Sequence, residues 1–452
     1  MALRFVIIGG GPAGNTAATV AATLGAEVTI VERDIIGGAA HLWDCIPSKA
    51  MIATGGELSE LTRARSMGLA AEGHLDVDAL RERVRSIETR LHDATTAMLE
   101  SQGVRLLHGT GRLKGPHEIV VDTAEGIEEL SADVVLLATG SRPRVPEWAP
   151  LDGERVLTTR EAYPPAEIPE HLCVIGSGVT GVEFTHMFSA LGSKVTLVVS
   201  RQQVLPQKDP EVAAVLEAEF LRQGVQLLKG ARAEAITRAG DAVRVDCSDG
   251  RHVDASHVVL AIGSVPNREG LGLEDAGVEV DAGGYVPINH NCLSNVGHIY
   301  VAGDLSGKLP LSSVASMQGR KIAEHMMGLH VRAHRHVDYE KAASAIFTEP
   351  EIADVGLAEA EAFASGRKIR VTKVPFSTNA KALIKGDPRG FVKILSDPAT
   401  GVVLGGSIVG SSAAELISVI ALAVTNHLKV SDITDSLLVH PALAESLADA
   451  AS

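Results

Sequence analysis

The sequence predicts an α/β chain with two Rossmann-like dinucleotide-binding folds and a C-terminal α+β domain. Three observations carry this: a length of 452 residues, a glycine-rich strand-to-helix turn that occurs twice, and a change of pattern near residue 343. A chain of this length exceeds what one hydrophobic core organises, so several domains are expected. The first turn follows the apolar run 5–8 and contains Gly9, Gly11 and Gly14 ahead of a helix pattern through Leu24. The second follows 172–175 and contains Gly176, Gly178 and Gly181 ahead of a helix pattern through Leu191. One such motif is weak evidence. Two, each leading into a further strand (27–31 and 194–199), make a pair of βαβ units in which the helix N-terminus offers free N–H groups to a diphosphate.

Between the copies, 57–103 reads as long amphipathic helices, with Leu80, Val84, Ile87 and Leu91 on one face. Proline-rich runs at 143–150 and 164–169 suit hinges. Beyond Ala343, strands at 391–395 and 402–409 and helices at 413–427 and 430–437 define the last domain. The expected division is 1–150, 151–267, 268–335 and 336–452.

Composition narrows the partners. With 41 Lys+Arg against 56 Asp+Glu the net charge is −15, which disfavours nucleic acid and anionic membranes as partners. The apolar stretch 416–424 is far shorter than the ~20 residues that cross a bilayer, so no stable membrane insertion is expected. Arg4 leads straight into the first strand with no cleavage-site pattern, which makes the cytoplasm the default compartment. Of four cysteines, Cys173, Cys247 and Cys292 read as structural, and no metal-ligand spacing occurs.

The residues closing the second strand of each βαβ unit distinguish the two nucleotides. Glu32 can accept hydrogen bonds from an unphosphorylated adenosine ribose, as in FAD. The second unit instead presents Ser200 and Arg201; a guanidinium pairs with a 2′-phosphate, favouring NADPH over NADH.

Over its whole length the chain resembles the pyridine-nucleotide disulfide oxidoreductases, the two-dinucleotide-binding-domain flavoproteins that include lipoamide dehydrogenase, glutathione reductase and mercuric reductase. Ala138, Thr139 and Gly140 resemble the strand closing over FAD, and Gly263 lies in its NAD(P)-domain counterpart. Asp304 resembles the aspartate that holds the ribityl chain. The same resemblance assigns Gly38, Gly111 and Ala315 to the cofactor site. The run from Phe347 to Ala353 is similar to the start of the family's interface domain, which implies a homodimer.

The family's redox helix reads GGxCxxxxCIPSK. Here Gly37 and Gly38 open the run, Ala40 replaces the distal cysteine, and Cys45 and Lys49 remain. Alanine cannot form a disulfide, so the flavin-to-dithiol relay is not expected. The resemblance places Cys45 against the flavin, pairs Lys49 with Glu183 beside it, and makes His440 a general acid/base oriented by Glu445. Within the family the chain resembles the actinobacterial NAD(P)H quinone reductases similar to lipoamide dehydrogenase, which share the Gly-Gly-Ala-Ala run. The implied activity is NAD(P)H dehydrogenation through FAD to a quinone or similar small acceptor. A soluble transhydrogenase and a non-catalytic or redox-responsive flavoprotein subunit stand as alternatives.

Overall fold

The structure is a computed structural model that describes residues 2–70, 72–163, 165–329 and 336–452. Pro164, where the second expected hinge begins, and residues 330–335, where the returning FAD segment is expected to end, lie outside the described residues. The chain divides into two compact units: Met1–Ser48, Arg81–Arg144 and Ser264–Tyr339 form one, and Lys49–Leu80, Val145–Gly263 and Glu340–Ser452 the other.

The first unit is built on a five-stranded parallel sheet. Its order is Ile299–Val301, Val134–Leu137, Arg4–Ile8, Glu27–Glu32 and Arg105–His108. Alternate residues of the central strand face opposite sides, and both sides are buried. Phe5 and Ile7 pack with Ala13, Ala17 and Ala21 of the helix Pro12–Thr23. Val6 and Ile8 pack with Leu113, Ile119 and Val121 of an antiparallel meander, Thr110–Gly115, Glu118–Thr123 and Gly126–Ser131. The helix Ser312–Met326 lies close enough to Pro12–Thr23 that a Cβ on Gly319 would stand 2.2 Å from the Ala13 carbonyl oxygen.

The second unit repeats the parallel sheet in the order Gln226–Lys229, Lys194–Val199, His171–Ile175, His257–Leu260 and Val156–Thr158. The helix Val179–Ala190 connects its first glycine-bearing strand to the next. The C-terminal part carries a five-stranded antiparallel sheet, ordered Ser344–Ile346, Glu351–Gly356, Val403–Gly410, Phe391–Ser396 and Arg370–Pro375. Ile417, Ile420 and Val424 of the helix Ala413–Asn426 bury against it.

Three local expectations change. The helices expected over 57–103 are present as Ile46–Arg63, a 3-10 turn Ala64–Met67 and Val77–Ser101, but the first begins well before residue 57. The terminal helix expected at 430–437 stops at Thr434, leaving Leu437 and Val439 exposed. Residues Ala40–Asp44 form a π-helical turn that precedes the α-helix.

Among the described residues no helix is long and apolar enough to cross a membrane.

Candidate functional site

The two glycine turns are built alike. Gly9 and Gly176 have φ of +113° and +111°, in the left-handed region that only glycine enters freely. A Cβ on either would lie 2.2 Å from the Ala138 carbonyl oxygen or 2.3 Å from that of Ala261. Gly14 and Gly181 bring helix against strand: their Cβ atoms would stand 2.1 Å and 1.7 Å from the carbonyl oxygens of Gly9 and Gly176. Gly11 and Gly178 differ from these. Each precedes its helix in the same extended conformation (φ −75°, ψ −171° and φ −74°, ψ −171°), neither helix has a side-chain cap, and a Cβ on either glycine would meet nothing within 4 Å. An open space before uncapped N–H groups and the positive end of a helix fits a diphosphate, so both turns suit a dinucleotide.

Around the first turn, the Glu32 carboxylate is already oriented. Its Oε2 accepts the Gly10 N–H at 2.6 Å and its Oε1 the Asp34 N–H at 2.8 Å. Gly38 (φ +58°) approaches the same turn, its would-be Cβ 3.0 Å from the Gly11 Cα. Thr139 Oγ1 donates to the Asn267 carbonyl at 2.7 Å, and Asn267 Nδ2 returns a bond to the Thr139 carbonyl at 2.9 Å. These bonds fix the turn through Gly140 (φ +68°). Ser141 Oγ donates to Asp304 Oδ2 at 2.6 Å. Ala315 is buried in the helix Ser312–Met326. Gly111 lies in a strand of the meander, where its missing Cβ leaves room for Val31 Cγ1 at 3.0 Å.

Around the second turn, Ser200 and Arg201 are exposed just past the strand Lys194–Val199. The Arg201 carbonyl accepts the Gly230 N–H at 3.0 Å, while its guanidinium makes no ion pair among the described residues. Gly263 (φ +93°) has open space at its Cβ position.

The segment carrying Cys45 is shaped by His41. Gly37 takes φ +112°, and any Cβ there would fall 1.9 Å from His41 Nδ1. Burial lowers the basicity of His41. The Cys45 N–H bonds the Ala40 carbonyl at 3.2 Å, closing the π turn. Cys45 is partly exposed, and its Sγ lies 3.5 Å from Ser312 Oγ. All four cysteines are free thiols. The other three are buried, and burial pushes the Cys292 thiol up to about 11.

In the second unit, Lys49 Nζ is 2.8 Å from Glu183 Oε2. Gly55 lets the lysine-bearing helix approach: a Cβ there would stand 3.0 Å from the Ala190 Cβ. The other oxygen of the buried Glu183 accepts the Phe347 N–H at 3.0 Å. His440 Nδ1 lies 2.8 Å from Glu445 Oε1, and the Ala442 N–H donates to Glu445 Oε2 at 2.9 Å. That N–H, then His440, holds the Glu445 carboxyl below the usual carboxylate range.

Sequence reasoning missed a buried ionic network in this unit. Arg389 bonds Glu219 and Glu349, both at 2.9 Å, and also Asp387. Beside it, His186 is 2 % exposed. The carboxylates of Asp209, Glu211 and Glu359 lie within 4.8 Å of one another, but they surround the Lys393 ammonium at 2.9, 2.5 and 2.7 Å, so the cation they hold is that lysine.

Residues 3–319 match the pyridine nucleotide-disulphide oxidoreductase family and residues 342–451 that family's dimerisation domain. The chain is 43 % identical to the NAD(P)H dehydrogenase (quinone) of Mycobacterium tuberculosis over 100 % of its own length and 94 % of the relative's. It is 34 % identical to the dihydrolipoyl dehydrogenase of Chlamydia muridarum over 99 % of this chain and 95 % of that one. Its fold superposes on the crystal structure of LpdA from Mycobacterium tuberculosis with a TM-score of 0.95 at 42 % identity, covering 99 % of both chains. It also resembles the HOCl-induced flavoprotein disulfide reductase RclA from Escherichia coli, with a TM-score of 0.89 at 25 % identity, covering 100 % of this chain and 99 % of that one. Two dinucleotide turns on parallel sheets, an antiparallel C-terminal domain and these full-length matches lead to one conclusion: the chain belongs to the pyridine nucleotide-disulphide oxidoreductases and is an NAD(P)H-dependent flavoprotein oxidoreductase.

Proposed function

We propose that this enzyme passes electrons from NAD(P)H through FAD directly to a quinone or similar small acceptor, without a dithiol relay. The observation that carries this reading is the methyl group of Ala40 at the distal cysteine position, in a chain whose thiols are all free. The name of the Mycobacterium tuberculosis relative supports a quinone as acceptor. FAD, when bound, supplies the chemistry of accepting hydride and returning two electrons.

The residues of the chain then have distinct tasks. The turn of Gly9, Gly11 and Gly14 holds the FAD diphosphate, Glu32 its ribose, and Asp304, oriented by Ser141, its polyol chain. Gly176, Gly178 and Gly181 hold the pyridine nucleotide, and the exposed Arg201 beside Ser200, with no ion pair among the described residues, favours NADPH. By the family pattern, Lys49 offers a positive charge to the reduced cofactor while Glu183 holds the ammonium in place. Cys45 lines the flavin without carrying electrons. In His440 the Nδ1 nitrogen is directed to Glu445, which leaves Nε2 as the atom that holds or moves a proton. The dimerisation domain supports a homodimer.

Steady-state oxidation of NADPH and NADH against quinones, lipoamide and NAD⁺ analogues tests the reading. Rapid quinone reduction with little disulfide turnover is expected, whereas lipoamide as the best substrate would refute it.

A further inference from the structure

One residue touches both members of the Lys49–Glu183 pair. The backbone N–H of Phe347 donates to Glu183 Oε1 at 3.0 Å, while Glu183 Oε2 receives Lys49 Nζ at 2.8 Å. The ring of the same Phe347 lies under that ammonium, 4.9 Å from Nζ to the ring centroid. The segment that presents Phe347 is itself fixed. Thr348, 3 % exposed, donates its Oγ1 to the Pro350 carbonyl at 2.8 Å, and Glu349 is held by Arg63 and by Arg389, the latter at 2.9 Å.

The Glu183 side chain is 6 % exposed and bonded at both oxygens, whereas that of Lys49 is 32 % exposed with this single carboxylate partner among the described residues. A four-carbon stem with one anchor keeps rotamer freedom, and its charge then wanders. An aromatic face restricts such a cation. Because it is neutral, it does so without cancelling the charge, as a second carboxylate would.

We infer that Phe347 is a positioning residue that fixes the Lys49 ammonium and the Glu183 carboxylate as one rigid unit, so that a defined charge serves the reduced cofactor. The inference rests on the proposed role of Lys49 and Glu183 at the flavin.

The test is the midpoint potential of the FAD-loaded enzyme, measured by equilibration with redox dyes. Lys49→Met is expected to make flavin reduction about tenfold less favourable, about 30 mV for a two-electron couple. Phe347→Leu is expected to move it the same way by about three- to tenfold, Phe347→Tyr to leave it in place, and Phe347→Leu to add nothing in a Lys49→Met background. An unchanged potential in Phe347→Leu, or an equal shift with and without Lys49, overturns the inference while leaving the role of Lys49 intact. A silent Lys49→Met overturns that role and the inference with it. If Phe347→Leu does not retain FAD, Phe347→Met, unbranched and adaptable, replaces it with the same outcomes.

Discussion

A Cβ on Gly181 would stand 1.7 Å from the carbonyl oxygen of Gly176, a contact that no rotamer relieves because both partners are backbone. Gly181→Ala is therefore expected to push its helix off the strand and destabilise the protein by roughly 1–3 kcal/mol. It should weaken pyridine-nucleotide binding while FAD stays bound; Gly14→Ala should reverse the pattern. Flavin absorbance after gel filtration, set beside NADPH titration, distinguishes the two.

Arg201 governs nucleotide choice in this scheme. Arg201→Glu is expected to cost about 1–3 kcal/mol in kcat/KM for NADPH and little for NADH. Equal losses with both nucleotides would show that the guanidinium does not meet a 2′-phosphate.

The single thiol of the π turn is expected to be dispensable. Cys45→Ser should keep most quinone reductase activity, and Ala40→Cys alone should give at best weak lipoamide turnover, since His41, Leu42 and Trp43 also depart from the family's segment. Near-complete loss of quinone reduction in Cys45→Ser would make the thiol catalytic.

His186 sets part of the acid stability. Burial pushes it from its ordinary value of 6.5 down to about 4, against the opposite pull of Glu349 and Glu219. The unfolded chain thus binds a proton that the folded one refuses. The stability this histidine contributes is complete above about pH 6.5 and is lost as pH falls towards 4. The loss amounts to up to about 3 kcal/mol. His186→Gln should flatten the change in Tm across that window relative to the parent enzyme; an unaltered pH slope would count against it.

Lys393 is 1 % exposed among three carboxylates. Lys393→Met would leave Asp209, Glu211 and Glu359 crowded with the Lys373 ammonium, 2.7 Å from Glu211, in place of the cation they share, and because both glutamates are nearly half exposed the cost is about 1–3 kcal/mol. A Tm within a degree or two of the parent would show that the carboxylates separate freely.

What could be read in the sequence was what is decided locally. The glycine turns declared themselves because a positive φ or a close backbone approach demands glycine, and strand and helix periodicity flanks them. The start of the helix Ile46–Arg63 and the π turn at Ala40–Asp44 were not readable, since a helical pattern does not distinguish i+4 from i+5 bonding. Contacts across the sequence were hidden for a different reason. Cys45 meets Ser312 at a separation of 267 residues, and Glu183 meets Phe347 at 164, pairings that only the packed elements create. Lys49 with Glu183 was anticipated through family resemblance, not through pattern.

The near identity of the turns at Gly11 and Gly178 separates affinity from discrimination. A diphosphate cradle made of backbone reads only charge and shape, so it cannot tell one dinucleotide from another. In the proposed scheme selection falls to side chains at or just past the end of each second strand, Glu32 in the first unit and Ser200 and Arg201 in the second. On that scheme, retargeting the second unit from one pyridine nucleotide to the other is an exchange at the exposed Ser200 and Arg201 on an unaltered scaffold, with little at stake for folding.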